Sequence, residues 1–220
     1  MTVFRAILYS QWKWSRLIVA LGTVAAFVLP LVSLQGAARA DRSPLEAEAL
    51  LHAVQSWGTL YPLLATALGL LVAIATWAPD HRGRHIHALT LPLPRWRYVL
   101  LRFAAGATVL AGPILGIAVG ALIAIAAATL PPGLHGYPLA LALRFGLAVL
   151  VAYSLFFAVS AGTARTAGLI LGLVAAVIVI QVFASVANLE FSVVDRLQII
   201  LVNWPGPLAV FTGRWMLIDV

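Results

Sequence analysis

Residues 79–102 read Pro-Asp-His-Arg-Gly-Arg-His-Ile-His-Ala-Leu-Thr-Leu-Pro-Leu-Pro-Arg-Trp-Arg-Tyr-Val-Leu-Leu-Arg, and five of the 14 basic residues of the chain fall inside this stretch. Long apolar runs flank it on both sides. A short amphipathic piece, Arg84 to Leu91, is closed by Pro92-Leu93-Pro94 before the next run begins. Proline lacks the N–H that would continue a helix, so the brake is physical. Excess arginine in a short segment between two apolar runs marks a cytoplasmic loop joining two membrane spans. Its amphipathic face is suited to meeting another protein.

Composition places the rest of the chain in the bilayer. It is 63% hydrophobic and 10% charged, with a mean hydropathy of +1.03, whereas soluble domains carry roughly 25% charged residues. The hydrocarbon core is about 30 Å thick and a helix rises about 1.5 Å per residue, so apolar runs near 20 residues read as spanning helices. The net charge of +7 therefore points to anionic lipid surfaces and cytoplasmic helix ends, and not to nucleic acid. With no cysteine, disulfides and thiolate metal sites are excluded.

The expected fold is an all-α polytopic membrane protein forming a single transmembrane domain. Working outward from the loop 79–97, the second span covers 57–78, with Trp57 and Trp77 as interface anchors, and the third covers 98–130, long enough that it must tilt, protrude or bend, with Gly112-Pro113 as the place for a bend. Upstream, residues 2–16 form an interfacial helix carrying Trp12 and Trp14, and the first span covers 17–34. Ala38-Arg39-Ala40 offers a signal-peptidase pattern, but the preceding apolar run exceeds the usual signal core. Ser43-Pro44-Leu45-Glu46 starts a short outer helix, Ser at N-cap and Pro at N1. Downstream, a turn at 131–138 leads to spans at 139–161 and 167–187. Residues 188–220 hold no run long enough to cross and read as an outer, re-entrant or interfacial segment. Placing the N-terminus in the cytoplasm leaves nine of the 14 basic residues inside and six of the seven acids outside.

Two ridges of small residues, Gly112-Gly116-Gly120 and Gly168-Gly172, allow close helix approach, either within the chain or at a dimer seam. Arg144 can snorkel to headgroups or meet an anionic substrate group. Tyr153 and Gln181 serve either as interhelical hydrogen-bonding groups or as lining of a substrate pathway. The only lysine, Lys13, lies in Gln-Trp-Lys-Trp, so no phosphate-binding P-loop exists. No acid lies inside a predicted span, which argues against a proton- or sodium-coupled carrier. His81, His85 and His87 could ligate a metal, but the arginines between them repel cations; no catalytic or metal site is expected.

The segment Asp80-x-Arg82-Gly83, followed by Leu91-Pro92 and Arg95, resembles the loop motif of ABC-2 type transporter permeases. The interfacial N-terminal helix and the span order over residues 1–190 are also similar to that family. Arg84 stands where the family has threonine, Pro94 where it has serine, and the family's sixth span is not visible. The resemblance implies a permease subunit of an ATP-driven exporter in the cell membrane, pairing with a second permease as homo- or heterodimer. A separate cytosolic ATPase would bind ATP and Mg, and this chain would bind no cofactor. Asp80, Arg82, Gly83, Arg84, His85, Pro92 and Arg95 would couple to that ATPase. The alternative from a different class is a non-transporting membrane scaffold or immunity protein.

Overall fold

The computed structural model describes residues 3–35, 44–82, 94–130, 133–161, scattered positions from 172 to 200, and 201–219 apart from 204. The chain divides into two compact units. One comprises Met1–Phe157 with Arg214–Val220, the other Ala158–Gly213.

The first unit is built from helices α1 (Val3–Ser33), α2 (Pro44–Gly58), α3 (Leu60–Arg82), α4 (Arg95–Ala127) and α5 (Pro138–Ser160). Two short strands, β1 (His135–Gly136) and β2 (Ile218–Asp219), complete it. Among the described residues, four helical stretches are long and apolar enough to cross a membrane: α1, Leu50–Pro79 running from α2 into α3, α4 and α5.

The distribution of side chains in α1 is that of a helix suited to an apolar surrounding. Its buried residues are Gln11, Ser15, Val19, Gly22, Ala26, Pro30 and Ser33, a stripe at three- and four-residue spacing made mostly of small or polar groups. Its exposed face carries Tyr9, Leu17, Leu21, Val24 and Val28, with Leu17 and Leu21 each 71% accessible. A soluble helix buries its large apolar residues; this one turns them outward. α5 likewise exposes Leu139, Leu143 and Leu147, but its buried face mixes the small Ala142, Gly146 and Ala148 with the large Leu141, Phe145, Tyr153 and Phe157. Hydrocarbon is as good a solvent for leucine as another leucine, so contacts within the bundle depend on small residues that let helix backbones approach.

The contact of α1 with α4 follows from the first glycine ridge. A Cβ on Gly112 would fall 3.2 Å from Thr23 Oγ1, and one on Gly116 2.8 Å from the Thr23 carbonyl oxygen. One on Gly120 would collide with the carbonyl of Phe27. The contacts advance together along both helices, so α1 and α4 run in the same direction. Pro113 lies inside α4, which continues through it to Ala127.

Several boundaries differ from expectation. Residues 3–33 form one helix, with no break between an interfacial piece and a span at residue 17. Neither glycine nor proline occurs from Val3 to Leu21, so nothing interrupts the hydrogen-bond ladder. α4 begins at Arg95, directly after the extended Pro94 (φ −61°, ψ 138°), and so takes in Trp96 and Arg97 from the expected loop. Trp77 is not an interface anchor: it is buried, its Nε1 donating to the Phe157 carbonyl (3.2 Å) and its ring 5.1 Å from that of Phe157.

The C-terminal end departs most. Instead of an interfacial helix, Ile218–Asp219 pairs antiparallel with His135–Gly136, His135 opposite Asp219 and Gly136 opposite Ile218. The Tyr137 N–H donates to the Leu217 carbonyl (2.9 Å), and Trp215, Leu217 and Ile218 are buried. Gly133, in the turn that leads to β1, has φ 92°, a conformation disfavoured with a Cβ.

In the other unit, a turn returns the Leu208 N–H to the Leu201 carbonyl (2.8 Å), and a single 3-10 turn covers Ala209–Phe211. The expected fifth span, 167–187, lies mostly outside the described residues.

Candidate functional site

A polar cluster joins α1, α3 and α4 two turns in from the ends of α3 and α4 that flank residues 83–93. Its centre is Thr76 of α3. The Thr76 hydroxyl donates to the Val72 carbonyl (2.7 Å) and accepts from Gln11 Nε2 of α1, while the Thr76 carbonyl accepts from Arg102 Nη1 of α4. Gln11, Thr76 and Arg102 are all buried, Arg102 to 8% accessibility. The Arg102 guanidinium lies 5.6 Å from the centre of the Trp77 ring and 5.1 Å from that of Tyr98. Two aromatic faces and a backbone carbonyl thus replace part of the water that a buried cation loses. A cavity of about 210 Å³ adjoins the cluster, lined by Ala6, Ser10, Gln11, Thr76, Pro79 and Arg102 among others.

Residue order explains the convergence. Gln11 begins the buried stripe of α1. Pro79 within the last turn of α3 has no N–H for the Ala75 carbonyl, so this end of α3 relies on neighbours. Arg102 is seven residues into α4, two turns from its start, on the face that carries Tyr98 and Ala105 into the bundle. Counted with the loop cations in the sequence, Arg102 is in fact a bundle residue. Once the helix is known to start at Arg95, its phase with Tyr98, Ala105 and Val109 is the signal that finds it.

A second group closes the opposite end. The Arg144 guanidinium stacks over Trp215 at 4.5 Å and donates to the Arg214 carbonyl (2.6 Å). Trp215 in turn stacks on Tyr61 at 6.3 Å with planes 10° apart, and the Tyr61 hydroxyl lies 3.4 Å from Ser33 Oγ. Arg144 therefore holds the C-terminal strand in place.

No family model, curated protein or solved structure matches the chain.

The other expected site residues are placed as follows. Asp80 and Arg82 belong to the last turn of α3; Gly83, Arg84, His85 and Pro92 lie outside the described residues. Arg95 is the exposed first residue of α4. Gly112, Gly116 and Gly120 are covered by α1 of the same chain, which is the packing role and not the seam. In the second ridge, no described atom comes within 4 Å of a Cβ built on Gly172. Gly168 and Gln181 lie outside the described residues.

Tyr153 takes the first of its two expected roles, its hydroxyl donating from α5 to the Phe103 carbonyl of α4 (3.4 Å). It is fully buried, its ring 5.2 Å from Phe103 and 5.5 Å from Phe157, and it packs against Gly106 so closely that a Cβ there would meet its Cζ at 2.6 Å. A ring enclosed in this way is core and not the lining of a pathway. Among the described residues, no group of three or more histidines or carboxylates could hold a metal ion; His85 and His87 lie outside them.

Proposed function

We propose that the chain is the membrane-spanning permease subunit of an ATP-binding cassette exporter of the ABC-2 type, with its N-terminus in the cytoplasm of a cell membrane. The observation that carries this reading is the Gln11–Thr76–Arg102 cluster. α3 and α4 flank the segment 83–93, with Arg82 and Arg95 at its two edges, and the cluster ties both helices to α1 just inside that segment. A force applied to the segment would therefore move three helices together, which is what coupling to a nucleotide-driven partner demands.

In this reading a separate cytosolic ATPase binds ATP and Mg and receives the segment as a peg, braced by Asp80 and Arg95. Two permeases pair, and the substrate passes between them. Because the Gly112-Gly116-Gly120 ridge is filled by α1, the pairing surface lies elsewhere on the chain.

The test is purification of the tagged protein in mild detergent, with mass spectrometry of what accompanies it. A stoichiometric P-loop ATPase is expected, and replacing Gly83 with a bulky residue or Arg95→Glu should lower coupled ATP hydrolysis. Intact, folded protein with no ATPase would favour a membrane scaffold instead.

A further inference from the structure

A groove of about 530 Å³ runs between α1 and α4, lined by Leu8, Trp12, Val19, Ala20, Thr23 and Thr108 among others. Its two hydroxyls are already engaged: Thr23 Oγ1 donates to the Val19 carbonyl (2.7 Å) and Thr108 Oγ1 to the Ala104 carbonyl (2.8 Å). Each donor is satisfied within its own helix, so the groove receives a guest as an apolar surface.

The charge around it is one-sided. Arg16 is one turn from both Trp12 and Ala20, and Arg5, Lys13 and Arg16 of α1 are exposed, as are Arg95 and Arg97 of α4. No aspartate or glutamate occurs in residues 1–40 or 81–189. The half-exposed Trp12 (49% accessible) beside Lys13 has the composition of the headgroup level, and from there the groove descends along α1 to Val24.

We propose that this groove binds one anionic phospholipid of the leaflet at the N-terminal end of α1. An acyl chain lies along Val19, Ala20 and Thr23, and the phosphate meets Arg16 and Lys13. A second copy of the chain fits the groove less well. A two-fold seam would bring the same cationic rim of each copy together, and neither α1 nor α4 contains an acid to relieve the repulsion. The inference rests on α1 and α4 spanning a membrane and is independent of the exporter reading.

The test is native mass spectrometry of the intact protein from mixed micelles holding equal amounts of phosphatidylglycerol and phosphatidylcholine. Wild type should retain one phosphatidylglycerol in preference to phosphatidylcholine. Lys13→Gln and Arg16→Gln should each reduce that preference about fivefold, as expected for roughly one charge near an anionic headgroup. Ala20→Phe, which fills the groove from an exposed position, should reduce retention of both lipids, whereas Leu143→Phe on the exposed face of α5 should change neither. Equal retention of the two lipids by wild type, or unchanged retention in Ala20→Phe, would overturn the proposal. A lipid-free dimer that Ala20→Phe converts to monomer would overturn it in favour of a chain–chain seam.

Discussion

Replacing the three ridge glycines of α4 by alanine, one at a time, should destabilise the protein in a fixed order. At Gly112 the new methyl meets only side-chain atoms, Thr23 Oγ1 at 3.2 Å and Val19 Cγ1 at 3.4 Å. At Gly116 it meets a backbone oxygen, that of Thr23, at 2.8 Å. At Gly120 it collides with the Phe27 carbonyl and lies 3.0 Å from that residue's C and Cα. Side chains can rotate away; a helical carbonyl moves only with its helix. Alanine gains about 1 kcal/mol over glycine in helix propensity, and overpacking costs about 1–3 kcal/mol. Gly112→Ala should therefore be near neutral, Gly116→Ala should lose about 1 kcal/mol, and Gly120→Ala about 2 kcal/mol as the helices part and forfeit dispersion contacts. Titration with sodium dodecyl sulfate from mild-detergent micelles, followed by far-ultraviolet circular dichroism, measures the three midpoints. If Gly120→Ala proved as stable as Gly112→Ala, the packing of α1 on α4 described above would be refuted.

Thr76→Val and Gln11→Leu, made singly and together, should show a coupling energy of about 0.6 kcal/mol, the average for interhelical hydrogen bonds in a membrane protein, and at most about 1.7 kcal/mol; additive losses in the same titration would mean the two side chains do not interact. Trp215→Ala removes the stack on Tyr61 and the platform under Arg144, and should cost about 3 kcal/mol, read as a lower melting midpoint with faster amide exchange at Tyr137. The chain has no cysteine, so single introduced cysteines report topology directly: Arg95→Cys, at the exposed start of α4, and His135→Cys, past its other end, should label from opposite sides of the membrane. Labelling of both by an impermeant maleimide in intact cells would show that α4 does not cross.

Much of this architecture is legible in residue order. Apolar run length finds the four stretches that can cross, because the bilayer thickness sets the length; Pro44 and Pro138 each open a helix where proline's missing N–H costs least. The spacing of Gly112, Gly116 and Gly120 marks a face for close approach, and α1 lies against it. What escapes is anything decided by a distant partner. Whether Trp77 sits at the headgroups or in the core depends on the Phe157 carbonyl, 80 residues away. Arg102 falls inside the expected third span, but only helix phase, and not residue type, shows that it turns inward. The β1–β2 pairing has no local signature at all: two residues on each side carry no period to detect.

That pairing has a consequence for biosynthesis. Residue 219 is translated 84 positions after its partner, residue 135, which at roughly 5–20 residues per second is an interval of about 4–17 seconds. During that time α1 to α5 have emerged, yet the faces of Tyr61 and Arg144 that Trp215 will cover must be solvated by water or lipid headgroups. Newly made chains therefore pass through an open-ended stage, in which a protease or a quality-control factor could distinguish open molecules from closed ones by whether that tryptophan has arrived.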